Sequence, residues 1–132
     1  MGPSANINIC SENERVGEFR DNHAHSNGRY GLRIFNNMVP RKFPCKDINA
    51  ETNPPITANF NNLISWKNGR NGAIAENVGD VRFNNFKTAD NILAGIEFSL
   101  TNNPGVGDDK PGIYNALIIG RTENTEERLD SG

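Results

Sequence analysis

One pattern, Phe-x-(Asp/Asn)-x-x-(small)-x-x-Asn-x-x-x-Gly-(apolar), occurs three times in this chain and restricts its fold more than any other feature. With Asn27, Asn68 and Asn91 as anchors, Phe19, Phe60 and Phe83 lie eight positions earlier. Asp21, Asn62 and Asn85 lie six earlier, and Ala24, Ser65 and Thr88 three earlier. Gly31, Gly72 and Gly95 follow each anchor by four, and Leu32, Ala73 and Ile96 follow by five. A fixed internal period is the signature of a solenoid, in which no single repeat can bury its apolar side alone.

The second and third copies lie 23 residues apart, close to one turn of a parallel β-helix. The first and second lie 41 apart, and the excess, 36–55, is rich in Pro, Asn and charge. It reads as a surface loop inserted between coils. A weaker fourth copy begins at Ile113, with Asn115 in the Asp/Asn column and Gly120 near its end. Asn13 and Gly17 repeat the end of the pattern, with Cys10 in the small-residue column. That copy stands too close to the next for an ordinary coil.

The spacing therefore predicts an all-β chain: a right-handed parallel β-helix of about four to five coils, as one domain over 1–132, with a polar tail at 122–132. Short strands are expected at 73–75, 81–83 and 95–98. Phe19, Phe60 and Phe83 should stack in one interior column. Asn27, Asn68 and Asn91 should form an amide ladder. Gly31, Gly72 and Gly95 are expected to supply the positive φ angles of sharp corners. A leucine-rich repeat has a similar period, but no L-x-x-L-x-L pattern is present.

Composition narrows the partners. Apolar residues make up 35% of the 132, low for a globule built round one thick core, yet Phe, Ile and Leu recur in order, which argues against disorder. The formal net charge of -2 argues against a nucleic-acid binder or a polybasic membrane-surface protein. No apolar run is long enough to span a bilayer, and Met1 to Cys10 has no leader-like character. Cys10 and Cys45 can form one disulfide or remain two thiols. Solenoid ends need caps, and neither end carries a helix with an apolar face. The expected partners are therefore the rest of a longer parent chain, or neighbouring copies, meeting at open coil edges.

The segment Asn22-His23-Ala24-His25-Ser26-Asn27-Gly28-Arg29-Tyr30-Gly31-Leu32 resembles the parallel β-helix region of the fibrocystin and fibrocystin-like family and of its hyaluronan-depolymerising relatives. Trp66-Lys67-Asn68-Gly69 through Gly72-Ala73, Gly79-Asp80-Val81-Arg82-Phe83 with Ala89-Asp90-Asn91, and Asn115 to Arg121 with Asp108-Asp109 resemble its later coils. The likeness runs from Asn8 onward. It implies an extracellular or cell-surface fragment of a larger protein, acting as a non-catalytic scaffold for adhesion, assembly or glycan contact. Two other readings are a fragment of a hyaluronan-cleaving enzyme and a subunit stacking end to end into a fibre.

Some residues could carry chemistry. His23 and His25 would share one strand face with Asp21, a spacing that suits a metal, although no third His or Cys is near. Asp80, Asp90, Asp108 and Asp109 could offer paired carboxylates for glycoside hydrolysis, or structural turns. Asp108 and Asp109 also read as a calcium-binding loop tip; no other cofactor is expected. If the chain is an enzyme, His25, Arg29 and Asp90 are the candidates. Arg29 and Arg70 share a column, and with Lys67, Tyr30 and Trp66 they could hold an acidic polysaccharide, or form a solvated flank.

Overall fold

A computed structural model describes residues 9–101 and 111–123. Among the described residues it is almost wholly β, with a short 3-10 turn at Ser11–Asn13. Ten strands follow: β1 (His23–His25), β2 (Tyr30–Phe35), β3 (Ala58–Asn61), β4 (Ile64–Trp66), β5 (Asn71–Val78), β6 (Val81–Asn84), β7 (Lys87–Ala89), β8 (Ala94–Thr101), β9 (Gly112–Tyr114) and β10 (Leu117–Ile119). The strands expected at 73–75, 81–83 and 95–98 fall within β5, β6 and β8.

Each strand from β1 to β7 pairs in parallel with the one three places later in the chain. The result is three parallel sheets, ordered β1-β4-β7-β10, β2-β5-β8 and β3-β6-β9. This arrangement is compatible with a β-helix, and the sequence repeats become its tiers. The register follows the pattern: Ala24, Ser65, Thr88 and Ile118 align across the first sheet, and Phe60, Phe83 and Ile113 across the third.

Inward-facing apolar side chains of the β2-β5-β8 and β3-β6-β9 sheets share one core, to which Leu63 and Phe86, just before β4 and β7, contribute. Phe83 and Phe86 are fully buried, with Leu63, Ala73, Ala75, Val78 and Val81 around them. Phe19 packs on Phe60 at 4.9 Å between ring centroids, and Phe60 on Phe83 at 5.4 Å. Burying one Phe stabilises by about 1.5–3 kcal/mol, so this file is a main cohesive element between tiers.

The corners correct the glycine expectation. Their left-handed backbone is supplied by Asp21, Asn62, Asn85 and Asn115, with φ between 54° and 56°. Asp and Asn tolerate this region because their short polar side chains bond locally. A second corner uses Ser26, Lys67 and Asp90, with φ of 53° to 58°. Gly31, Gly72 and Gly95 instead lie inside β2, β5 and β8, and none has positive φ. They permit close approach: a Cβ on Gly72 would meet Gly95 O and Thr88 Oγ1, both at 2.4 Å, and one on Gly31 would collide with Ser65 Oγ.

The early copy of the pattern at Asn13 and Gly17 forms no strand; Asn13 ends the 3-10 turn. Its neighbour Cys10 is disulfide-bonded to Cys45. The insertion between β2 and β3 is more than a surface loop. Val39 N and Arg41 N donate to Glu12 O and Asn13 O, which joins it to the N-terminal segment. Asn53, fully buried, accepts from Phe43 N and donates to Phe43 O and Asp47 O. Val39 is buried beside Gly79, where a Cβ would touch it at 3.0 Å.

Candidate functional site

The repeat that shapes the fold also fixes what each side chain can do. Around the anchor Asn, three columns make one hydrogen-bonded unit. Asn68, fully buried, donates from Nδ2 to Ser65 Oγ at 2.9 Å and to Asn91 Oδ1 at 2.8 Å. Ser65 Oγ donates in turn to Gly72 O at 2.7 Å. Asn27 Nδ2 reaches Asn68 Oδ1 at 3.0 Å, and Asn91 Nδ2 reaches Thr88 Oγ1 at 2.6 Å. The amides therefore run as a continuous file across three tiers and leave little polar capacity for a ligand.

The three sheets present different outer faces. On β3-β6-β9 the face is polar: Asn84 Nδ2 donates to both Asn59 Oδ1 and Asn61 Oδ1, beside Arg82. On β2-β5-β8 it is charged, with Arg33 Nε bonded to Glu76 Oε2 at 2.7 Å and Asn71 Nδ2 to Glu97 Oε2. The Glu76 bond holds the Arg33 guanidinium above its usual pKa.

On β1-β4-β7-β10 the outer face is mostly apolar and aromatic. One file across the strands is His23, Ile64, Lys87, Leu117, and the next is His25, Trp66, Ala89, Ile119. His25 stacks on Trp66 at 4.4 Å and 14°, and His23 meets the same indole edge-on at 5.9 Å. Beside them runs a groove of about 270 Å³ lined by Ile64, Trp66, Lys87, Ala89, Leu117 and Ile119. Sequence reasoning singled out Trp66, His23 and His25 but missed the other members of these files. The signal was available: all of them occupy the outward positions that flank the small-residue column.

The candidate residues are not gathered into one centre. His23 and His25 share the outer face of β1, as alternation requires. Asp21 does not join them. It lies before β1 in a left-handed corner, and its Oδ1 accepts from Asn62 Nδ2 at 2.9 Å. Among the described residues no cluster of three His, Cys, Asp or Glu stands ready for a metal. Asp108 and Asp109 lie outside the described residues.

Asp90 stands two strand spacings from His25, roughly 10 Å, with Trp66 and Lys67 in the tier between. It is buried, and its two oxygens accept from Thr122 N and Thr122 Oγ1, both at 2.6 Å. Asp80 is likewise engaged, by Arg82 through two bonds of 2.8 Å and by Thr57 Oγ1 at 2.6 Å. Arg29 and Arg70 are exposed neighbours, joined through Arg70 N to Arg29 O at 2.6 Å. Lys67 sits in the adjacent corner. Tyr30 is half-buried at the start of β2, within 5.3 Å of the Arg33 guanidinium.

No family model matches the chain, and no solved structure matches it. It is similar to a segment of fibrocystin-L from Mus musculus and from Homo sapiens, each 36% identical over 126 residues. The likeness covers 92% of this chain, which spans about 3% of the length of those relatives. It supports a fibrocystin-like relationship.

Proposed function

We propose that this chain is a non-catalytic scaffold module of an extracellular or cell-surface protein of the fibrocystin-like kind, wound as a right-handed parallel β-helix. The observation that carries the reading is the amide file from Asn27 through Asn68 to Asn91, bonded in register with Ser65 and Thr88. Repeated and mutually bonded polar groups make an array rigid along its axis. The Cys10–Cys45 disulfide agrees with an oxidising compartment.

The engagement of the carboxylates favours this reading over catalysis. A glycosidase needs one carboxyl to give up a proton and a second poised across the bond. The oxygens of Asp90 and Asp80 are occupied within the fold. Incubation with high-molecular-weight hyaluronan should leave its chain length unchanged. Shortening that disappears in His25→Ala would overturn the scaffold reading in favour of an enzyme.

Contact with an acidic glycan at Arg29 and Arg70 is the second part of the proposal, carried by their adjacency on one exposed corner. Retention on a heparin matrix that falls in the Arg29→Ala/Arg70→Ala double variant checks it. Unchanged retention removes it.

A further inference from the structure

The outer groove of the β1-β4-β7-β10 sheet has a vacancy in its second file. His25 and Trp66 fill successive positions as stacked rings, Ala89 leaves the next position nearly empty, and Ile119 closes the file. Trp66 and Ile119 stand two strand spacings apart, roughly 10 Å between backbones. One flat ring entering above Ala89 would lie within the roughly 4.5–7 Å separation that aromatic pairs favour. The walls Ile64, Leu117 and Ile119 are apolar, and Leu117 and Ile119 are 55% and 40% exposed. The one charged group of the groove is Lys87, exposed and without an ion pair among the described residues.

We propose that this groove binds a protein partner through a single aromatic side chain seated between Trp66 and Ile119, with an acidic residue of the partner paired to Lys87. Apolar walls with one cation suit an aromatic–acidic peptide. A sugar ring would need several hydrogen-bond partners, which these walls do not offer. Buried aromatic anchors dominate interface energetics, and a rim charge adds steering and specificity. The inference uses the strand register, the groove lining and the Lys87 charge, and does not depend on the scaffold reading.

Trp66 is the chain's one tryptophan, so its emission reports the groove directly. The full chain would be titrated with a terminally blocked Glu-Glu-Phe-Glu-Glu peptide, with the same peptide carrying Ala for Phe, and with a heparin hexasaccharide. The expected result is a saturable change with the Phe peptide that the Ala peptide loses by tenfold or more. Ala89→Ile, which fills the vacancy without adding a fluorophore, should weaken binding at least tenfold. Lys87→Glu should weaken it several-fold and reduce its salt dependence. Equal binding of the two peptides, response to the hexasaccharide alone, or no saturable change with any probe overturns the proposal. Far-UV circular dichroism of both variants confirms that they fold, and Lys87→Glu, fully outside the core, carries the test if Ala89→Ile does not.

Discussion

Gly72 and Thr88 face each other across adjacent tiers so closely that a methyl group on the glycine would lie 2.4 Å from the Thr88 hydroxyl. The same methyl would lie 2.4 Å from the Gly95 carbonyl oxygen, which is backbone and has little room to yield. The hydroxyl is held in turn by Asn91 Nδ2 at 2.6 Å. The glycine, the hydroxyl residue and the Asn of the repeat are thus parts of one contact, and each sets the space left for the others.

Gly72→Ala is therefore expected to destabilise the chain at the upper end of the about 1–3 kcal/mol typical of overpacking. Gly28→Ala, where an added Cβ meets nothing within 4 Å, should change stability by less than about 0.5 kcal/mol. Urea denaturation of the two variants measures the contrast. Equal midpoints would show that the tiers separate more easily than the register implies.

Asn68→Ala removes acceptor and donor groups from the middle of the amide file. It leaves Asn27 N and Nδ2 without their acceptor and Ser65 Oγ without its donor. Unsatisfied buried polar groups cost about 1–3 kcal/mol, and a loss of about 3 kcal/mol is expected. Asn27→Ala, at the exposed end of the file, should cost less than about 1 kcal/mol. Denaturation midpoints at fixed pH discriminate an internal ladder from a set of independent turns, which would lose equal amounts at both positions.

Phe83→Ala empties the centre of the core, where the ring touches Phe60, Phe86 and Phe98 at 5.4, 5.8 and 5.8 Å. A loss of about 3–5 kcal/mol is expected. Phe19, only half-buried, should lose clearly less on truncation. Thermal unfolding followed by circular dichroism orders the two. A larger effect at Phe19 would place the main core elsewhere.

Reduction of Cys10–Cys45 frees a loop with a sequence separation of 35. The loss expected is about 3–4 kcal/mol, by the dependence of cross-link stabilisation on loop length. Melting with and without reductant gives the value, and the Cys10→Ser/Cys45→Ser variant should match the reduced protein. Hydrogen exchange should place the new opening in 10–19 and 36–57 and leave β5 and β6 protected.

Much of this architecture was legible because stacking converts sequence distance into spatial alignment. Residues eight before each anchor were readable as a file because Phe is distinctive and recurs at a fixed offset. The role of the glycines was not legible. A conserved-offset glycine can serve positive φ or close approach, and the letters are the same for both. The apolar outer file escaped notice because His25, Trp66, Ala89 and Ile119 share no residue type. The anchoring of the insertion was not legible because Pro and Asn mark loops whether or not the loop is tied down, and its buried Arg41 and Asn53 are polar.

The order of residues carries the period, the register and the inward columns, since an apolar residue in every repeat can be buried only if the repeats align. Packing in three dimensions settles which residues turn the corners, whether the two cysteines meet, and which outer face is left apolar. Those outcomes depend on the distance between tiers and on neighbours more than twenty residues away, and a one-dimensional pattern carries no measure of either.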